Sequence, residues 1–297
     1  MDYEALADKA LRGQILEREE MKGVLSAPDE RLPELLQAAF RVRRHYFGNK
    51  VQIHVLKNIK SGLCPEDCHY CSQSSISNAP IDRYPLLPRE KLLEGAFKAK
   101  EAGAVRYCMV ASGRGPTTRE TDQVAEVVRG IKEQVPINIC ACLGLLNEEK
   151  AKVLKQAGVE RVNHNLNTTR RHHSKICTTH TYDDRVATVK TVREAGLSTC
   201  CGGIMGMGET EEDVIDWAVA LRDLDVDSIP VNFLHPIPGT PLETLRDVTP
   251  QRCLKILCLV RFINPTKQVR VGGGREVRLR SLQPLSAYPA HPTFVHR

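Results

Sequence analysis

From residue 51 onward, short apolar runs alternate with amphipathic stretches seven times over. The segments VQIHVLK, AVRYCMVAS, PINICACLG, VERVNHNLN, LSTCCGGIM, DSIPVNFL and KQVRVGGG read as strands. The stretches between them carry apolar residues at helical spacing, among them PREKLLEGAFKAKEAG, NEEKAKVLKQAG and TEEDVIDWAVALRDL. Strands joined through helices make a parallel sheet. Seven such units in series predict an α/β fold of the (β/α)8 TIM type rather than an open doubly wound sheet. Three of the helices end in an Ala-Gly pair, at Gly103, Gly158 and Gly196. Glycine there suits a left-handed C-cap that feeds the next strand. Residues 1–47 read as an N-terminal helical segment and 48–285 as the barrel, with 286–297 as a short divergent tail.

In such a barrel, function gathers at the C-terminal ends of the strands. Directly after the first strand comes GLCPEDCHYCSQSS, which places Cys64, Cys68 and Cys71 at a CxxxCxxC spacing. An extended chain spans about 3.3–3.6 Å per residue, so eight residues can curl around one small cluster unaided. Pro65 favours a bend just after the first thiol. An iron–sulfur cube is normally held by four cysteines. Three would leave one iron open to a ligand. Zinc with His69 or His45 as a fourth donor is the main rival. A disulfide framework suits short secreted chains with even cysteine counts, whereas this chain has 297 residues and eleven cysteines. Buried structural thiols do not fit a polar Pro-Glu-Asp-His loop.

Composition narrows the partners. Apolar residues make up 41% and charged residues 26%, as in ordinary soluble proteins. No run approaches the roughly 18 apolar residues of a membrane span. The N-terminus MDYEALADKALRG is charged from its second residue and has no apolar core, so a cytoplasmic location is expected. Net charge is +6, but Lys and Arg are spread along the chain and aromatics are only 5%. That argues against a nucleic-acid-binding stripe.

Strands buried on both faces should be runs of Val, Ile and Leu. Here Cys108 interrupts the second strand, and Cys140 and Cys142 the third. Asn163, His164 and Asn165 interrupt the fourth, Cys200 and Cys201 the fifth, Asn232 the sixth and Arg270 the seventh. Buried polar groups are costly unless paired. Thiols on three strands with a guanidinium on another suggest a second metal site in the lumen. Spacing leaves two choices open, Cys140 or Cys142 and Cys200 or Cys201.

The strings CPEDCHYCSQS, RYCMVASGRGP, ICACLG, NHNLNTT, TTHTYDDR, CCGGIMGMGET, SIPVNFL, GTPLE and VRVGGGRE together resemble the biotin synthase family of radical-SAM enzymes. They span roughly residues 45–285. The resemblance implies a 4Fe–4S cluster on Cys64, Cys68 and Cys71, with S-adenosylmethionine (SAM) on its open iron. It implies a 2Fe–2S cluster on Cys108, Cys140, Cys200 and Arg270. Tyr70, Asn163, Asn165, Asn167 and Arg185 are then expected around SAM. Asn165 and Asn232 are expected on the ureido ring of dethiobiotin, since an amide offers both donor and acceptor to a cyclic urea. No catalytic side chain beyond the cofactor ligands is implied. The implied reaction is sulfur insertion converting dethiobiotin to biotin, with the 2Fe–2S cluster as sulfur donor. A flavodoxin or ferredoxin would supply electrons, and a homodimer is the implied assembly. Cys177, Cys253 and Cys258 read as structural.

The resemblance fades after SLQPLSAY, where the family continues through an eighth strand and a threonine-rich loop and this sequence has PAHPTFVHR. A truncated last strand–helix unit is therefore expected. The alternatives are another radical-SAM enzyme with a single cluster, or an inactive truncated homologue.

Overall fold

A computed structural model describes residues 1–290 and the backbone of 293–296. Three helices come first, α1 (Tyr3–Leu11), α2 (Arg18–Leu25) and α3 (Leu32–Phe47). Strand–helix units follow: β1 (Gln52–Lys60), α4 (Arg89–Glu101), β2 (Arg106–Ala111), α5 (Thr118–Gln134), β3 (Asn138–Cys142) and α6 (Glu148–Ala157). Next are β4 (Arg161–Asn163), the short α7 (Arg170–His173), α8 (Tyr182–Glu194), β5 (Ser198–Cys200), β6 (Gly203–Met205) and α9 (Glu211–Asp223). The chain then runs through β7 (Ser228–Phe233), α10 (Pro250–Ile263), β8 (Gln268–Val271), α11 (Arg275–Leu279) and β9 (Thr293–His296).

Local chemistry explains the helix limits. Thr117, Thr181 and Thr210 each open a helix with a reciprocal capping box, closed by Glu120, Asp184 and Asp213. Asn147 caps α6 through Lys150 N, and Thr249 caps α10 ahead of Pro250. Gly103, Gly158 and Gly196 all take positive φ, as the Ala-Gly pairs predict.

Among the described residues the named strands all pair in parallel, in the order β6-β7-β5-β4-β3-β2-β1-β9, with β8 against β7. The sheet curls into a partial TIM-type barrel, consistent with the strand–helix alternation. The expected fifth strand is two strands. Its break falls at Gly202, where a Cβ would lie 1.9 Å from Pro230 O. The chain passes there from a single bridge with β7 (Cys200↔Ser228) to the β6–β7 register Gly203↔Val231. Residues 286–297, expected as a tail, carry β9, whose backbone runs parallel to β1 in the register Gln52↔Thr293.

Side-chain alternation sorts the sheet. Tyr107, Met109, Ile139, Ala141 and Val162 point outward into an apolar layer with α4, α5 and α6. Trp217, Leu221, Ile229, Leu257 and Phe262 form a second layer that also takes in α1, α2 and α3. At about 25 cal/mol per Å² of apolar area, these two layers supply the main drive for folding. The inner face is left to the polar and sulfur-bearing residues.

Candidate active site in the barrel lumen

Inward positions on four strands bring Cys108, Cys140, Cys200 and Arg270 together. Cys108 and Cys140 face each other across β2 and β3 in direct register. Each thiol acts on the other. That contact lowers the Cys108 pKa against burial, with Arg270 helping, and raises that of Cys140 well above its ordinary value. Arg270 Nη2 donates to Cys200 Sγ at 2.7 Å and Nη1 to His54 Nδ1 at 2.7 Å. Burial works against the Arg270 cation, but Cys200, Cys108 and Cys140 together outweigh it and raise its pKa. Arg270 Nε is buried with no hydrogen-bond partner.

The lumen separates both ambiguous cysteine pairs. Cys142 lies two residues beyond Cys140 on the same face, about 6.6 Å nearer the mouth. Its thiol meets Asn163 Oδ1 at 3.2 Å rather than the Arg270 group. Cys201 turns outward and is fully buried in the apolar layer with α9 and α10. Cys200, one residue earlier, faces inward.

The Cys64–Cys71 loop lies at the mouth, after β1. Burial raises the thiol pKa of both Cys64 and Cys71. Cys68 is turned toward the segment before α8, with its Sγ 3.8 Å from Cys177 Sγ. Its pKa is raised first by that contact and then by burial, while that of Cys177 is lowered by the same contact. The loop is latched to this segment. Thr178 donates to Asp67 from its backbone nitrogen at 2.9 Å and from Oγ1 at 2.5 Å. Thr179 Oγ1 donates to Glu66 Oε2 at 2.7 Å, and His180 Nδ1 contacts the same carboxylate oxygen. The Asp67 carboxyl is desolvated, yet its donors more than compensate and hold it well below the usual range.

A polar chain links mouth and lumen. With its amide oxygen facing the guanidinium, Asn167 accepts from Tyr70 Oη at 2.5 Å and from both Arg185 terminal nitrogens at 3.3 Å. Arg185 Nη1 donates to Asn165 O at 2.9 Å. Asn163 Nδ2 donates to Asn165 Oδ1 at 3.1 Å and to Cys200 Sγ at 3.1 Å. Asn167 holds φ at 68°, which turns the chain in the loop beyond the end of β4. Tyr70, Asn163, Asn165, Asn167 and Arg185 therefore form one connected set. Asn232 stands apart from it. It donates to Gly203 O at 2.9 Å and accepts from Gly273 N at 2.8 Å, bracing β6 against the turn after β8. Asn165 Oδ1 is likewise engaged by Gly202 N at 3.0 Å.

Both donor sets fit the clusters that the resemblance implies. Once Cys68 turns from Cys177, three thiols on one loop could hold a cube with one iron open, near Tyr70 and Arg185. Arg185 Nε is buried there without a hydrogen-bond partner. In the lumen three thiols and a guanidinium converge, again with an orphaned nitrogen at Arg270. Sequence reasoning missed His54, Glu66, Asp67, Cys177 and His180. His54 is a polar interruption of β1 and could have been read as such. The others act through contacts more than a hundred residues apart, which no local pattern reports.

Residues 58–221 match the Radical SAM superfamily, and residues 230–296 match the Biotin and Thiamin Synthesis associated domain. The chain is 56% identical over 290 residues to a protein named biotin synthase from Bacillus subtilis (strain 168), covering 98% of this chain and 87% of that one. It is 55% identical over 295 residues to the biotin synthase of Anoxybacillus flavithermus, covering 99% and 90%. Among solved structures, methylornithine synthase superposes with a TM-score of 0.85 at 24% identity, covering 97% of this chain and 85% of that one. An FeFe-hydrogenase maturase from Carboxydothermus hydrogenoformans gives 0.82 at 18%, covering 98% and 70%. At those identities the two structures speak for the fold alone.

Proposed function

The chain belongs to the biotin synthase family of the Radical SAM superfamily, and from that premise we propose that it converts dethiobiotin to biotin by radical sulfur insertion. The observation that carries this reading is the convergence of Cys108, Cys140, Cys200 and Arg270 beneath a separate mouth triplet. A radical-SAM enzyme with one cluster would have no use for the second donor set.

Bound at these two sites, a 4Fe–4S cluster would supply the electron that splits SAM to methionine and a 5′-deoxyadenosyl radical, and a 2Fe–2S cluster the sulfur that the substrate gains. The chain does the positioning. Cys64, Cys68 and Cys71 are the residues to hold the first cluster, once Cys68 turns away from Cys177. Arg185 offers a fixed cation for the SAM carboxylate, steadied by Asn165 O and Asn167. Tyr70 packs with Ile176, Met207 and Leu234, giving an apolar wall for the adenine. Asn163 joins Asn165 to Cys200, and these amides would line the space between bound SAM and the Cys200 group, where dethiobiotin would lie. Holding the reacting groups close together and oriented would be the protein's main contribution to rate.

Arg270 is an unusual ligand, because a guanidinium keeps its proton and then has no lone pair to donate. Three thiolates and one weak donor suit a cluster that surrenders sulfide. Asn232 and Asn165 remain the amides assigned to the ureido ring. Asn232 would have to exchange its bond to Gly203 O or Gly273 N, whereas Asn165 can donate from Nδ2. A flavodoxin or ferredoxin as electron donor, a homodimer and a cytoplasmic setting complete the proposal. No helix among the described residues is long and apolar enough to cross a membrane.

The test is anaerobic reconstitution followed by incubation with dethiobiotin, SAM and a reductant. Biotin together with 5′-deoxyadenosine is expected. Deoxyadenosine without biotin, on protein holding only one cluster, would overturn the sulfur-insertion reading.

A further inference from the structure

Beside the mouth site, and sharing Cys68 with it, three buried donors meet beneath the loop. Cys68 Sγ, Cys177 Sγ and a ring nitrogen of His180 all lie within 4.8 Å of one another. The two sulfurs are 3.8 Å apart. Two thiolates at about 2.3 Å from a tetrahedral zinc are separated by about 3.8 Å, so this edge already has the right length. His180 Nδ1 touches Glu66 Oε2. An ionised carboxylate only accepts, so Nδ1 carries the proton and Nε2 keeps its lone pair. Cys177 Sγ lies 3.3 Å from Nδ1 and 3.7 Å from Nε2, the latter against about 3.5 Å for a sulfur–nitrogen edge around zinc, so a small turn of the ring aims Nε2 at the metal. A carboxylate behind the ring is the usual way a metal-binding imidazole is oriented. Glu66 is itself held by Thr179 Oγ1 at 2.7 Å and Arg114 Nη1 at 3.4 Å.

We propose that Cys68, Cys177 and His180, with Glu66 behind the imidazole, bind a thiophilic divalent cation of the zinc class when the mouth carries no iron–sulfur cluster. Water takes the fourth position. The site shares Cys68 with the CxxxCxxC triplet, so the cation and the cluster exclude each other. The exclusion rests on the cluster reading above; the cation site does not. The loop therefore has two seats for one thiol, and occupancy by the cation keeps the triplet incomplete until iron and sulfide displace it.

The test uses the full chain, stripped of iron and reduced under anaerobic conditions, titrated with Co²⁺ as the spectroscopic stand-in for zinc. One equivalent should produce tetrahedral cobalt bands with thiolate charge transfer. Cys177→Ser and His180→Ala should each lose those bands, while Cys64→Ser and Cys71→Ser keep them. As a readout free of folding artefacts, Zn²⁺ should slow alkylation of Cys68 and Cys177 in the wild-type chain and leave Cys64 and Cys71 unchanged. Bands that survive Cys177→Ser but vanish in Cys64→Ser would place the metal on the triplet and overturn the proposal. So would equal protection of Cys64, Cys68 and Cys71, or the lack of any tetrahedral spectrum. Zinc loaded beforehand should block cluster reconstitution in the wild type and not in Cys177→Ser. If the cobalt results hold but zinc does not block reconstitution, the shared-thiol exclusion fails and the cation site alone stands.

Discussion

The mouth and the lumen each present three cysteines as candidate cluster ligands, but by different means. In the lumen, Cys108, Cys140 and Cys200 ride on strands whose backbone register is fixed by ladder hydrogen bonds. Their sulfurs and the Arg270 guanidinium already face one another. At the mouth, Cys64, Cys68 and Cys71 ride on a loop held by side-chain contacts from Asp67 and Glu66 to the segment before α8. There one thiol of the three is turned to a different neighbour, Cys177. Strand-borne ligands come preorganised, because the sheet has already met the entropic cost of fixing them. Loop-borne ligands keep a choice of partner. The contrast suits the proposed roles, since a cluster that loses sulfide must be rebuilt on a rigid frame while the SAM cluster must leave one corner accessible.

The largest expected effect breaks the mouth alone. Alanine at Cys64, Cys68 or Cys71 should abolish both 5′-deoxyadenosine and biotin, and cost about four iron atoms per chain on reconstitution. Next, Arg270→Ala should lower biotin formation by about 10–100-fold while SAM cleavage continues, measured by chromatography of both products. Equal loss of the two products would show that the regions do not act separately.

The cysteine pairs sharpen the lumen side. Cys140→Ser and Cys200→Ser should remove the second cluster's absorbance, while Cys142→Ser and Cys201→Ser retain it. Cys201→Ser should instead cost about 1–3 kcal/mol of stability in denaturant titration, because it puts a hydroxyl into the apolar layer. Loss of the cluster in Cys142→Ser but not Cys140→Ser would reverse the assignment.

The smallest effect concerns the latch. The Asp67 carboxyl has a folded pKa below its ordinary value of about 3.9. A depressed carboxyl contributes stability that is fully present above its unfolded pKa and fades as pH falls through the folded one. Hydrogen-exchange protection of the Thr178 amide should therefore hold above about pH 4 and decline only in stronger acid. Asp67→Asn should weaken that protection at every pH and slow cluster loading by about tenfold. A wild-type profile that matches the Asn variant would remove the latch from the account.

Much of this was legible beforehand. Short apolar runs alternating with Gly-capped amphipathic helices announced the parallel sheet, and the thiol spacing singled out the loop after β1, because both are local in the chain. The polar interruptions of the strands announced a functional lumen without saying which cysteines share a level. The split of the fifth strand at Gly202 was not legible, since it depends on the approach of Pro230 from a neighbouring strand. Asn232 was assigned to substrate from its chemistry, and only the fold reveals that its amide already braces Gly203 and Gly273.

The sequence by itself determined the barrel class, the three-thiol loop after β1 and the presence of thiols and a guanidinium among the strands. These follow from periodicity and spacing, which act over a few residues. Only the tertiary structure decided that Cys140 and Cys200 meet Arg270, that Cys201 turns outward, and that Cys68 shares Cys177 and His180 with a distant segment. Those outcomes depend on strand register and side-chain direction across the curled sheet, and neither is set until the chain has packed.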